Sequence, residues 1–288
     1  ELQQEWTWSE RYASQPELLA YIGHVADRFD LRREIRFETK ATSAAWNDES
    51  ANWRVSTDSG DDISARWFVM ATGCLSMPKT LDIDGADQFA GPTYYNSRWP
   101  HEGVDFTGMR VGLVGTGSSA IQSIPVIAKQ ASELVVFQRT PNYSIPSQNE
   151  PMTPDYEQSW KKKYAAKREE MRYTSHGSLK DLNDKPALSV SEEERQETYE
   201  RRWEIGGAGY LGSFNNLLTD QEANDTASEF VREQIRHTVK DPETAELLAP
   251  KTYPIGTKRI CIDTEYFETY NRDNVDLVDI SDEPIEQF

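Results

Sequence analysis

The sequence predicts an α/β protein, and three observations carry that expectation. A short apolar run at 111–114 enters a glycine-rich turn, which opens a helical stretch at 121–131 that leads to a second apolar run at 133–137. That order is a βαβ unit, in which two parallel strands are joined by a crossover helix. Upstream, short β-rich runs at 35–38, 41–46 and 53–57 are separated by polar turns at 47–50 and 58–60, the pattern of an antiparallel meander. Downstream, 154–248 is charged helical sequence broken at Gly206-Gly-Ala-Gly209, and strand-like runs return at 259–262 and 275–279.

The remaining elements follow in order. Ser14-Gln-Pro16-Glu17 offers a capping residue, a first-turn proline and an acid, and apolar Leu18, Leu19, Tyr21, Ile22, Val25 and Phe29 share a helical face, so a helix is expected over 17–29. A strand is expected over 63–71, ending at Ala71-Thr72-Gly73, where glycine lets the chain leave a sheet sharply. Residues 78–100 hold turn residues and aromatic anchors without periodicity and read as a connector, after which a fresh unit begins at Met109.

Composition excludes several functions. The chain has 288 residues, room for one large domain or two ordinary ones, and its 11% aromatic content argues against disorder. With 49 acidic against 31 basic residues, the net charge of −18 opposes a grip on nucleic acid or anionic membranes. No apolar run approaches the roughly 20 residues of a membrane span. The start shows neither Met nor a basic and apolar leader, so it reads as mid-protein sequence, and a cytoplasmic location is expected. Cys74 and Cys261 lack CxxC spacing and the histidines are scattered, so neither a disulfide framework nor a metal site is expected. Lys161-Lys-Lys163 precedes Glu169-Glu170 and reads as a solvated helix face rather than a polyanion site. No G-x-S-x-G elbow supports a hydrolase.

The chemistry centres on Gly115-x-Gly117-x-x-Ala120, between strand and helix. The first glycine permits the sharp turn, the second lets a pyrophosphate approach the backbone, and Ala120 allows close helix-to-strand packing. Ser118 and Ser119 can donate to phosphate oxygens; the plainer reading is a tight turn alone. After the second strand comes Arg139-Thr140, with no acid to hold ribose hydroxyls, which favours NADP(H) over NAD(H). Arg139 could instead cap a sheet edge.

Phe89-x-Gly91-x-x-x-Tyr95-x-x-x-Trp99-Pro100, just before this unit, resembles the FxGxxxHxxxW(P/D) fingerprint of type I Baeyer-Villiger monooxygenases, in the flavin-containing monooxygenase superfamily. Tyr95 stands where that family has histidine. Further runs are similar to the same family: Trp8-x-Glu10-Arg-Tyr-x-x-Gln15-Pro16, Ala71-Thr-Gly73-x-Leu75-Ser76-x-Pro78, Gly115-Thr116-Gly117-Ser118-Ser119-x-Ile-Gln122, Phe137-Gln-Arg139-Thr140-Pro141, Pro254-x-Gly-Thr-Lys258-Arg259 and Tyr270-Asn-Arg-Asp-Asn-Val275. The resemblance implies a Rossmann-like NADP-binding domain with a helical insertion, plus the middle of an FAD-binding Rossmann-like domain. It implies FAD and NADP as cofactors, and insertion of one oxygen atom from O2 beside a ketone carbonyl to give an ester or lactone.

On the same resemblance, 1–80 is partial FAD domain, 81–107 a linker carrying the fingerprint, 108–280 the NADP domain with its insertion at 154–248, and 281–288 a return toward the FAD domain. The family's FAD glycine motif and closing FAD segments have no counterpart in these residues, so a fragment of a longer enzyme, inactive alone and needing those segments as partners, is expected; a complete small NADP-binding protein is the alternative. Arg259 is expected to stabilise the anionic peroxyflavin and the developing charge on the substrate, and Lys258 to join Arg139 and Thr140 around the 2′-phosphate. Read without the resemblance, Lys258-Arg259 is an ordinary strand start. Cys74 and Leu75 could touch the substrate, or Cys74 could be a buried structural thiol. The rival functions are nitrogen or sulfur oxygenation, to which Tyr95 could point, and a non-catalytic NADP-binding module.

Overall fold

The computed structural model describes residues 2–73, 75, 77, 83–174, 177, 179 and 182–287. They divide into two units, 1–79 with 149–164 and 80–148 with 165–288.

In the first unit the helix spans Gln15–Arg28, with Pro16 in its first turn. Glu17 accepts from the Ser9 amide at 2.7 Å and from the Ser9 hydroxyl at 2.8 Å, which fixes the chain entering the helix. Trp6 and Trp8 pack on Tyr21 at ring separations of 5.3 and 5.1 Å, but no residue of the helix is buried. The meander is antiparallel, in the order β1 (Ala41–Asn47), β2 (Asn52–Thr57), β3 (Asp62–Ala65). Trp46 lies opposite Trp53, their rings 5.7 Å apart, and Asp62 pairs with Arg54 and accepts from Ser56 at 2.7 Å.

Two strand expectations fail here. Residues 35–38 form no strand, because Glu38 takes a left-handed φ of 52° and no segment among the described residues pairs with the run. The strand expected to reach residue 71 stops at Ala65, where its pairing with β2 ends at Trp53. Beyond it Trp67, Val69 and Met70 stand exposed.

The segment 149–164 joins this unit by contacts that sequence pattern alone does not reveal. Asn149 donates to Glu10 at 2.7 Å and accepts from the Tyr12 amide at 2.9 Å, and Arg11 sits 5.0 Å from the centre of the Tyr156 ring. Lys161 pairs with Glu157 at 2.8 Å and donates to the Gln4 carbonyl, so it is held rather than solvated as expected. Its helix, Pro154–Lys161, ends before Lys163.

The second unit is built on a parallel sheet ordered β4 (Arg110–Val114), β5 (Glu133–Gln138), β8 (Val275–Asp279). The crossover helix runs Ser118–Ala128, so it begins three residues before the sequence pattern suggested, and its buried Ile121, Ile124 and Ala128 face a core that includes Leu134 and Val136. A second parallel pair, β6 (Ser144–Pro146) with β7 (Cys261–Asp263), continues both sides of the unit; the strand expected at 259–262 is thus shorter and shifted. Asp263 closes this pair, accepting from the Ser144 hydroxyl, and burial pushes its carboxyl up.

The helical region packs onto the same core. Ser191 accepts from the Glu194 amide at 3.2 Å and caps Glu192–Ile205, whose three leading glutamates suit the positive helix end. Gly206 then turns with φ 71°, and an added Cβ would stand 2.6 Å from the Pro146 carbonyl oxygen, so only glycine fits without a shift. Helix Gln221–Thr238 carries the buried Asn224, whose amide donates to the Leu217 and Ile255 carbonyls at 2.8 Å and whose oxygen accepts from the Ile255 amide at 3.0 Å. The loop leading to Lys258 is thereby fastened to a helix by a fully used side chain.

Candidate functional site

The glycine turn has the geometry of an anion cradle. Gly115 adopts φ 102°, and its amide donates to the Phe137 carbonyl at 2.9 Å, which locks the turn to the end of β5. No side chain caps the helix at Gly117, so its first amides face outward with the positive end of the helix dipole. A Cβ added at Gly115 or Gly117 would meet nothing within 4 Å. The space above the turn is open, and the glycines keep the backbone bare to whatever enters it. This arrangement fits the pyrophosphate of a dinucleotide. Gln122 donates to the Ile262 carbonyl at 3.4 Å.

The corner beyond β5 gathers the other expected residues. The Thr116 hydroxyl donates to the Thr140 carbonyl at 3.0 Å, and the Asn142 amide donates to the Thr116 carbonyl at 2.6 Å. Tyr253 donates to the Pro141 carbonyl at 2.8 Å, and the Lys258 ammonium lies 4.4 Å from the centre of its ring. Asn142 and Tyr253 thus connect the glycine turn to Lys258, and the sequence reading missed both. A signal was present for Tyr253 in the run Tyr253-Pro-x-Gly-x-Lys258, but its partner Pro141 is 112 residues away.

Arg139 is exposed, and among the described residues its side chain makes no hydrogen bond or ion pair. The same holds for Arg259. Arg139 directly precedes Thr140, whose carbonyl meets the glycine turn, and in a chain with 49 acids against 31 bases exposed guanidinium groups without an acidic partner raise the local potential. Cys261 begins β7. Burial pushes its thiol up, while a hydrogen bond with Ser118 and the charges of Arg259 and Lys258 act in the opposite sense. The Gln122 bond to the Ile262 carbonyl ties β7 to the crossover helix.

The fingerprint residues lie in the same unit. A Cβ on Gly91 would stand 2.7 Å from the Phe89 ring, so the glycine lets the phenyl group fold back over the chain. Trp99 packs against Phe106 at 6.1 Å and Tyr94 at 5.8 Å, and buried Phe106 carries that cluster into the core. Tyr95 precedes the 3-10 turn Asn96–Arg98; it and Tyr94 are equally exposed, and the Tyr94 ring is the one that meets Trp99 and Phe106. Pro100 accepts from the Gly103 amide at 3.0 Å. Leu75 is exposed, and Cys74, Ser76 and Pro78 lie outside the described residues.

A parallel βαβ unit with an open glycine turn is the architecture of the dinucleotide-binding class of α/β proteins. The chain belongs to the pyridine nucleotide-disulphide oxidoreductase family, whose model matches residues 1–256. A steroid monooxygenase solved in its oxidised state bound to NADP is 54% identical, with a TM-score of 0.96 over 100% of this chain and 55% of that one. A Baeyer-Villiger monooxygenase of Pseudooceanicola batsensis is 38% identical across 100% of this chain and 53% of that protein. A phenazine N-monooxygenase of Lysobacter antibioticus is 36% identical, also across 100% of this chain and 53% of its own length. The chain therefore spans about half the length of the curated relatives it matches, and the resemblance to flavin monooxygenases read from its motifs agrees with them. No helix among the described residues is long and apolar enough to cross a membrane.

Proposed function

We propose that the chain supplies the NADP-binding domain, over 108–280, and the middle of the FAD-binding domain, over 1–80, of a monooxygenase that inserts one oxygen atom from O2 next to a ketone carbonyl. The observation that carries the reading is the uncapped helix at Gly117, in a turn whose Thr116 hydroxyl reaches the carbonyl of Thr140, the residue after exposed Arg139. Backbone amides over 117–120 hold the pyrophosphate; Arg139, Thr140 and Lys258 hold the 2′-phosphate, and Arg can do so with two parallel hydrogen bonds. When bound, the nicotinamide would supply hydride and the flavin would activate oxygen. Arg259 remains charged at any working pH and offsets negative charge developing on the substrate oxygen. Phe89, Gly91, Tyr95, Trp99 and Pro100 order the linker over 81–107, and the exposed run Trp67, Val69, Met70 supports pairing with further FAD-domain segments. A cytoplasmic site of action belongs to the same reading, supported by the free thiol of Cys261.

Nitrogen oxygenation is the second reading, favoured by the phenazine N-monooxygenase relative and by Tyr95 in place of histidine. Product analysis of the complete enzyme with a ketone and with an aromatic amine separates the two.

The cofactor assignment is tested by titrating the chain with NADPH and NADH. NADPH is expected to bind more tightly, and Arg139→Ala is expected to weaken NADPH roughly tenfold or more while leaving NADH nearly unchanged, since a charge-assisted contact is lost with only one of them. Equal losses for both cofactors would remove Arg139 from the 2′-phosphate site.

A further inference from the structure

We propose that Tyr253 is a positioning residue for NADPH selectivity: its ring holds the Lys258 ammonium beside the Arg139–Thr140 corner. The inference rests on the assignment of Lys258 to the 2′-phosphate. Two kinds of contact on one side chain carry it. The hydroxyl donates to the Pro141 carbonyl at 2.8 Å, with the Asn142 side-chain oxygen also in reach at 3.2 Å. The opposite demand falls on the ring, whose centre is 4.4 Å from the Lys258 ammonium.

The ring itself is fixed. Tyr143 meets it edge to face at 5.5 Å, and burial pushes the Tyr253 hydroxyl up to about 12, so it stays a donor throughout the neutral range. Asn142 passes the constraint onward by donating to the Thr116 carbonyl at 2.6 Å, inside the glycine turn. A lysine head on a four-carbon stem is otherwise a mobile point charge, and in this acidic chain it would readily turn toward a carboxylate. The negative face of a ring that is tied to the cofactor loop keeps it near that loop instead. Sequence distance hid this device, because Tyr253 reaches the Pro141 carbonyl across 112 residues and Lys258 across its own ring.

The test compares NADPH and NADH affinities, by equilibrium titration, for the parent chain, Lys258→Ala, Tyr253→Phe, Tyr253→Leu and the Tyr253→Leu/Lys258→Ala double variant. Lys258→Ala is expected to lower NADPH affinity about tenfold and leave NADH unchanged. Tyr253→Leu is expected to lower the NADPH preference about threefold to fivefold, and to have no further effect on that preference once Lys258 is gone. Tyr253→Phe keeps the ring and is expected to retain most of the preference. Equal weakening of both cofactors by Tyr253→Leu, or a loss of preference that persists without Lys258, overturns the role of Tyr253 while Lys258→Ala still upholds the 2′-phosphate assignment. An unchanged preference in Lys258→Ala overturns both. Should Tyr253→Leu not fold, phenylalanines of increasing fluorination at position 253 weaken the ring face with little change of shape. A stepwise fall in NADPH preference then supports the proposal, and a constant preference overturns it.

Discussion

The two units solve the burial problem differently. In the unit of 80–148 and 165–288, Ile121, Ile124, Leu134, Val136 and Ile145 are fully buried. In the unit of 1–79 and 149–164, Val55 is the buried hydrophobic residue among those described, while Leu19 and Ile22 are 62% exposed, Trp67 77% and Val69 83%. A βαβ unit closes on itself, because its crossover helix covers one face of its own sheet. A helix and a meander laid side by side do not, and they need further surface to cover their apolar residues.

The sharpest way to break this contrast is a pair of truncations. Ile124→Ala removes a fully buried side chain from the parallel-sheet unit and is expected to cost about 2 to 5 kcal/mol of its stability. Leu19→Ala removes one that already faces water and is expected to stay within about 0.5 kcal/mol. Denaturant unfolding, followed by near-ultraviolet circular dichroism, measures both. Comparable losses would mean that the exposed helix face is covered in solution.

A smaller effect sharpens the comparison from the backbone. Gly206 holds φ 71° where the chain passes close to Pro146, and Gly206→Ala must strain that approach. The expected loss is about 2 kcal/mol. By contrast, Gly60 in the meander turn has φ 86° and open space around it, so Gly60→Ala should pay only for the left-handed conformation, about 1 kcal/mol. Thermal unfolding of the two variants ranks them, and a larger shift from Gly60→Ala would refute the assignment of strain to packing.

How much of this was legible in the sequence follows the same division. The glycine turn and both flanking strands were readable because a βαβ unit is local: about 30 residues contain its strand, turn and helix. The roles of Asn142 and Tyr253 were not, since their contacts join Thr116, Pro141 and Lys258 across the fold. Before the meander, Ile35 and Phe37 alternate as a strand does, but alternation describes a face and not a partner, and no segment among the described residues pairs with them. Trp67 to Met70 shows the converse, a run with the composition of a buried strand that stays open where pairing with β2 ends. The pairing of 149–164 with 1–79 left no mark in periodicity, because it rests on one isolated backbone bridge, Glu10 with Pro151, and on polar contacts such as Asn149 with Glu10.

The weakest expected effect lies on the surface of the better-packed unit. Hydrogen bonds from Arg236 and Lys251 hold the Glu246 carboxyl down to about 2, well below its ordinary value. A carboxyl depressed on folding contributes stability that is complete above its unfolded value and disappears as pH falls through the folded one. The contribution of Glu246 is therefore present at neutral pH and is lost as pH falls from about 5 toward 2. Its side chain is 45% exposed, so water and salt screen the pairs, and the contribution is expected not to exceed about 1 kcal/mol. The check is the pH dependence of the urea midpoint for the parent chain and Glu246→Gln. The parent should exceed the variant at pH 7, and the gap should close on acidification and narrow in 1 M salt. A gap that widens on acidification would reverse the sign of the linkage, and one indifferent to salt would show that the Arg236, Glu246 and Lys251 cluster is shielded as the interior of its unit is.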